Sequence, residues 1–436
     1  MSDDIRAFRA SILHCLADPG EATASDAVEY LEDGVLVVEG GRIATLGPAA
    51  EILPAVKNHM EVTDYRPRLL VPGFIDCHVH YPQIGMVASW GEQLLEWLER
   101  YTYPAERRFA EREVAERVAE DFVDLMLAHG TTSALIFPTV HPVSVDAIFG
   151  AARARRLRIS AGKVLMDRHC PADLRDTAQS GYAESRALIE RWHGQDRLGY
   201  AITPRFAITS TAEQLALAGR LAEEFPDVLV HTHLAENRRE VERVAELFPE
   251  ATSYLDVYRS AGLLRERAVF AHCLHLEEPD YGHLASAGAA IAFCPGSNLF
   301  MGSGLFDLAR ARGHGIPVGL ATDVGAGTSL SLPVTAGEAY KVLELRGQRL
   351  TPWQALYLMT LGAARALGWD DVIGSFEPGK EADFVILDAT ATPLARRRLA
   401  ATVLPAESLF ALTMLGDDRS VVATYVLGER VWQNPR

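Results

Sequence analysis

The chain has 436 residues, enough for a large core and one to three domains, and its 48% hydrophobic content is ordinary for a globular protein. A net charge of −16, with Arg396-Arg397-Arg398 the one basic run of note, argues against nucleic acid and anionic membranes as partners. Five scattered cysteines (Cys15, Cys77, Cys170, Cys273, Cys294) suit free thiols in the cytoplasm, Met1-Ser2-Asp3-Asp4 lacks the apolar stretch of a secretion leader, and no apolar run is long enough to span a bilayer.

Residues 6 to 68 read as short strands. Ile12–Leu16 is followed by Gly34–Ile43, where Gly40-Gly41 between apolar runs signals a hairpin. The far end of the chain mirrors this, with strand runs over Ala382–Leu387 and Val422–Trp432 and a turn at Gly428. Each tail alone is too small for a core, so residues 1–68 and 369–436 are expected to form one small β-sandwich domain between them.

The middle, residues 69–368, alternates. Strand-like runs occur at Leu69–His78, Thr131–Phe137, Ile159–Met166, Leu198–Phe206, Val228–His233, Ala268–Cys273, Ala289–Cys294 and Pro317–Asp323. Segments of helical period lie between most of them, among them Val114–His129, Thr211–Glu224 and Glu236–Phe248. The fold class is therefore α/β, and eight such units predict a (β/α)8 TIM barrel. A doubly wound open sheet is the rival, but no Gly-x-Gly-x-x-Gly loop follows the early strands.

Barrel chemistry sits at the C-terminal ends of strands. The first run ends in His78-Val79-His80. Side chains alternate along a strand, so His78 and His80 share a face and can offer two imidazoles to one metal ion, while Cys77 and Val79 face away. The later strand ends add Thr203-Pro204-Arg205-Phe206, His231-Thr232-His233 with Glu236, then His272, then Asp323. A second His-x-His and a strand-end Asp raise the set well above coincidence. Spacing alone does not decide which of His231 and His233 would bind a metal, since both face one way.

On Pro72–Gln83, His231–Asn237, Ala271-His272-Cys273, Pro295–Leu299 and Thr322-Asp323-Val324, the sequence resembles the amidohydrolase superfamily. Glu377–Phe384 is similar to that family's return into its β-sandwich, so the likeness runs over nearly the whole chain. Pro82-Gln83, Pro204-Arg205-Phe206 and Trp97–Pro104 narrow it to the guanine deaminase family. The resemblance implies one zinc ion per chain, held by His78, His80, His233 and Asp323, a donor set that also suits Fe²⁺. It selects His233 as the ligand and leaves His231 a supporting position. The ion's task would be to lower the pKa of a bound water.

The implied substrate is guanine and the implied reaction is hydrolysis, with water, to xanthine and ammonia, in purine catabolism. Glu236 is expected to shuttle protons between ring and leaving amino group, and Asp323 to take the water's proton. His272 is expected to hydrogen-bond the attacking hydroxide or the developing oxyanion. Gln83 and Arg205 match a purine edge by hydrogen bonding, Phe206 by stacking, and His233, Glu236 and His272 complete the substrate contacts. A homodimer is the expected assembly. The same chemistry on 8-oxoguanine, a pterin or a triazine is the nearest competing reading. A barrel that has lost catalysis is the competitor from another class, and the intact ligand set argues against it.

Overall fold

The computed structural model describes residues 5–20, 26–56, 60–91, 93–402 and 404–435; Met1–Asp4, on which the leader expectation rests, lie outside them. A seven-stranded mixed sheet draws on both termini. Its order is Glu429–Gln433, Val421–Val426, Phe384–Leu387, Val62–Pro72, Ile5–Cys15, Val28–Glu39 and Arg42–Pro48. The pairing of Ile5–Cys15 with Val62–Pro72 is parallel and the others are antiparallel. Gly40 and Gly41 turn the hairpin at φ 57° and 77°, the left-handed values a two-residue turn of this twist requires. The sheet rolls around its own core rather than lying flat. Phe8 meets Phe384 and Tyr425 at ring distances of 4.9 and 5.1 Å, and Ala382 N–H donates to Gly41 O at 2.9 Å. This rolling gives the expected sandwich from one continuous sheet.

The barrel strands are Phe74–His80, Thr131–Phe137, Arg158–Ala161, Leu198–Pro204, Leu229–Leu234, Ala268–His272, Ala290–Phe293 and Val318–Leu320. Each pairs in parallel with the next, and a short piece, Val164–Leu165, pairs beside Leu198–Pro204. The first and last strands are joined just beyond the last one: Asp323 N–H donates to His78 O at 2.9 Å and His80 N–H to Val324 O at 2.7 Å. The helices Arg112–Ala128, Ala212–Glu224 and Arg238–Leu247 fall close to their expected ranges. Thr211 caps the second of these, and Asn237 with Glu240 forms a capping box on the third.

The run expected to be one barrel strand, Leu69–His78, is shared between the two sheets. Leu69–Pro72 ends a strand of the terminal sheet, and the barrel begins at Phe74. Gly73 makes the passage, donating its N–H to Asp383 O at 3.0 Å; a Cβ there would stand 2.2 Å from Thr132 Oγ1. Both halves are apolar and extended, so periodicity does not mark the change.

A buried ion network ties the N-terminal ends of barrel strands to the terminal sheet. Arg197 Nη2 donates to Glu381 Oε2 at 2.8 Å and to Asp383 Oδ2, and its Nη1 donates to Arg156 O at 2.7 Å. Arg158 adds a contact of 2.6 Å to Glu381 Oε1. At the opposite face, short helical turns cover the barrel mouth, Tyr81–Met86 followed by Leu94–Trp97, the π-turn Leu98–Thr102, Tyr103–Glu106 and Arg107–Ala110. The cover is tied to the loop after the fifth strand by Asn237 Nδ2 donating to Gln93 Oε1 at 3.3 Å and by an Arg239–Glu96 pair at 2.9 Å.

Candidate active site and metal centre

The strand ends bring His78, His80, His233 and Asp323 into contact. His80 Nε2 lies 3.1 Å from His78 Nε2 and 3.2 Å from His233 Nε2. Asp323 Oδ1 lies 3.2 Å from His78 Nε2 and 3.4 Å from His80 Nε2. His272 stands slightly apart, its Nε2 3.8 Å from Asp323 Oδ2 and 3.6 Å from Glu236 Oε2. A wider group, His78, His233, His272 and Asp323, has donor atoms all within 4.8 Å of one another.

The local backbone is forced to aim these groups. Ala235, His272, Cys273 and Asp323 all take left-handed φ between 48° and 71°, uncommon for residues other than glycine. Hydrogen bonds hold the turns, among them Cys273 N–H to Leu234 O at 2.9 Å.

The donor set fits a cation. His233 Nδ1–H donates to Arg205 O at 2.7 Å, which leaves the Nε2 lone pair facing the cluster. His78 Nδ1 is bonded to His231 Nε2 at 2.7 Å, so His231 orients His78 from behind. Lone pairs of three imidazoles and a carboxylate therefore converge with nothing in their hydrogen bonding to separate them. Donors around a tetrahedral ion with bonds of about 2.0–2.1 Å sit roughly 3.3 Å apart, close to the spacings found. Burial lowers the pKa of His78, His231 and His233 and takes His80 to about 3, so the rings stay in the neutral, ligating form. Burial works against the Asp323 carboxylate, but the His78, His80 and His272 rings that face it outweigh burial and hold its pKa well below the usual range.

Glu236 is buried beside this cluster. Burial, then the nearby Asp323 charge, raises its carboxyl to about 8, against a hydrogen bond from Ser303 Oγ to Oε1 at 3.3 Å. Glu240 fixes the backbone there, accepting from Glu236 N–H at 2.8 Å and Asn237 N–H at 3.1 Å. His272 Nδ1 is bonded to Asn298 Oδ1 at 2.9 Å, and its Nε2 points toward Glu236 and Asp323. Asp76 closes the layer beneath. Its carboxyl, pushed to about 7 by burial, accepts from Thr322 Oγ1 at 2.5 Å and from the backbone N–H groups of Thr322 and His78.

A pocket opens directly above. His80, His233, Asp323, Glu236, Gln83, Arg205 and Phe206 line it, as do Leu94, Trp97 and Leu98 from the cover and Ala326. His78 and His272 are outside this lining; His272 reaches the site through Glu236 and Asp323. Gln83 Nε2 donates to Glu106 Oε1 at 2.9 Å, and Arg205 Nη1 donates to both Glu106 oxygens at 2.9 Å. Sequence reasoning missed Glu106, Ser303 and the three apolar cover residues. Trp97 and Leu98 lie in the segment that carried the family likeness. Ser303 and Glu106 have no spacing signal, because their partners are distant in sequence.

The arrangement can bind a metal ion, seat a flat heterocycle against Gln83 and Arg205, and place an acid form of Glu236 beside it. A family model described as Amidohydrolase family matches residues 69–431. The chain is 49% identical to the guanine deaminase of Escherichia coli K12 over 98% of both chains. A solved structure of E. coli guanine deaminase superposes with a TM-score of 0.96 at 48% identity, covering 99% of this chain and 100% of that one. A guanine deaminase from C. acetobutylicum, solved with guanine bound in its active site, superposes with a TM-score of 0.88 at 25% identity, covering 98% and 100%.

Proposed function

The chain belongs to the amidohydrolase family, and from that premise we infer that it hydrolyses guanine to xanthine and ammonia. The observation that carries the reading is one pocket in which a convergent His/Asp donor set lies beneath the Gln83 and Arg205 groups that suit an oxo-purine edge.

In this reading His78, His80, His233 and Asp323 hold one zinc ion per chain, and the same donors accept Fe²⁺. When bound, such an ion supplies the Lewis acidity that brings a water's pKa from about 9 toward about 7. The remaining steps belong to side chains. Gln83 and Arg205 hold the carbonyl side of the base, and Phe206 packs against the ring. Glu236, in its acid form near neutral pH, gives a proton to a ring nitrogen. The carboxylate so formed takes the proton of the newly added hydroxyl and delivers it to the amino group, whose bond to the ring carbon breaks to release ammonia, and the proton that Asp323 takes from the attacking water returns Glu236 to its acid form. Asp323 accepts a proton of the attacking water. His272, held by Asn298 at Nδ1, turns Nε2 to the attacking hydroxide or the developing oxyanion and hydrogen-bonds it there.

Guanine's hydrogen bonds also give selectivity, because an adenine edge leaves the donors of Arg205 unpaired. The reading further includes a homodimer and a cytoplasmic setting in purine catabolism. Five free cysteines support the reducing compartment. Among the described residues no helix is long and apolar enough to cross a membrane.

The deciding experiment is ammonia release from guanine by purified protein with its metal quantified and its mass measured by light scattering. Turnover with about one metal per chain is the expected result for a single four-ligand site. A metal-loaded protein inert toward guanine would redirect the reading to another amino-heterocycle.

A further inference from the structure

Glu106 takes no part in the chemistry above, yet it is fully buried at 0% exposure, the last residue of Tyr103–Glu106. It joins two groups from distant parts of the chain. Both carboxylate oxygens accept from Arg205 Nη1, and Oε1 also accepts from Gln83 Nε2, all at 2.9 Å. A carboxylate beside a guanidinium only accepts, so it decides which way the Gln83 amide is turned. The nitrogen faces Glu106, and the oxygen faces Gly325 N–H at 3.4 Å. Gly325 permits this approach because a Cβ there would stand 2.8 Å from Gln83 Cβ. The same carboxylate neutralises a guanidinium that is itself 3% exposed and occupies only one of its nitrogens. The other guanidinium nitrogens remain for a ligand.

Building on the guanine reading, we propose that Glu106 is the specificity-determining positioning residue of the base pocket. It locks Gln83 and Arg205 into one charge-balanced edge that reads a neutral oxo-purine and turns away purine anions. An unbalanced buried guanidinium would instead attract an anion strongly. Xanthine is a stronger acid than guanine, so the balanced edge also lets the product go.

The test uses metal-loaded wild type, Glu106→Gln and Glu106→Asp. Guanine kinetics are measured together with calorimetric binding of urate, a purine that is an anion at neutral pH. Glu106→Gln is expected to raise KM for guanine about tenfold or more with kcat within about threefold, and to bind urate about tenfold more tightly. Glu106→Asp, which keeps the charge, is expected to hold urate affinity at the wild-type level with an intermediate KM. Unchanged KM and urate affinity in folded, metal-replete Glu106→Gln would overturn the proposal. So would a fall in kcat at constant KM. Where Glu106→Gln does not fold, Glu106→Asp decides: a raised KM supports the lock and a wild-type KM removes it. A wild type that binds urate weakly but does not turn over guanine would sink the guanine reading alone, and the urate comparison would still decide the role of Glu106.

Discussion

Replacing Arg197 with alanine should destabilise the protein by about 3 kcal/mol, the low end of the range for breaking a buried ion pair. The side chains concerned are 8% exposed for Arg197, 8% for Glu381 and 2% for Asp383. Glu381 keeps Arg158 at 2.6 Å after the change, which is why the low end applies. Asp383 loses its bonded cation, Arg197, and keeps the Leu427 N–H at 2.9 Å. At about 2 °C per kcal/mol for a large domain, Tm should fall by roughly 6 °C. Thermal and urea unfolding measure this, with Arg112→Ala as control. Arg112 makes an exposed i,i+4 pair with Glu116 at 3.2 Å, and its loss should cost no more than about 0.5 kcal/mol. Guanine turnover at 25 °C should survive Arg197→Ala, because the network lies at the strand ends remote from the pocket. A loss below about 1 kcal/mol would refute the reasoning, since the network would then behave like surface charges.

The acid limb of stability should report the same network. Burial would raise the Glu381 pKa, but hydrogen bonding from Arg158 and the charges of Arg197 and Arg158 hold it below 4.5. Its contribution is then complete above that value and is lost as pH falls through the folded pKa, so Arg197→Ala should show a shallower acid limb in urea unfolding at pH 3–6. Glu236→Gln should reduce kcat about 10²–10⁴-fold with metal content unchanged, and full activity in steady-state assays would remove Glu236 from proton transfer. His231→Ala should weaken metal affinity about 10–100-fold through the lost contact to His78 Nδ1, measured by competition with a chelator. Cys170 is the one cysteine not fully buried, so mild alkylation followed by peptide mapping should label it first, slowly, since burial takes its thiol to about 11.

The barrel was legible because its strands are short apolar runs ended by polar residues, and the candidate metal donors because His-x-His on a strand puts both rings on one face. The tandem at His231 and His233 was ambiguous by spacing alone. Hydrogen bonds separate the two: His233 turns Nε2 into the cluster, while His231 spends Nε2 on His78. The sheet change at Gly73 was hidden because the apolar run continues straight across it, from Leu69–Pro72 into Phe74-Ile75. Glu106 was hidden for another reason. Its meaning lies in Gln83, 23 residues away, and Arg205, 99 residues away.

The passage at Gly73 also dictates when the site can come into being. Val62–Pro72, which continues into the strand of His78 and His80, has Ile5–Cys15 on one side and Phe384–Leu387 on the other. The second neighbour leaves the ribosome roughly 300 residues later, about 15–60 s at ordinary rates of synthesis. Until then the strand leading into the two histidines has one bare edge, open to pairing with another nascent chain. Emergence of Phe384–Leu387, rather than that of the last candidate ligand, Asp323, is therefore the event that completes the sheet leading into the centre. A chain stopped before residue 384 should accumulate as aggregate without metal, even though it contains every residue of the pocket.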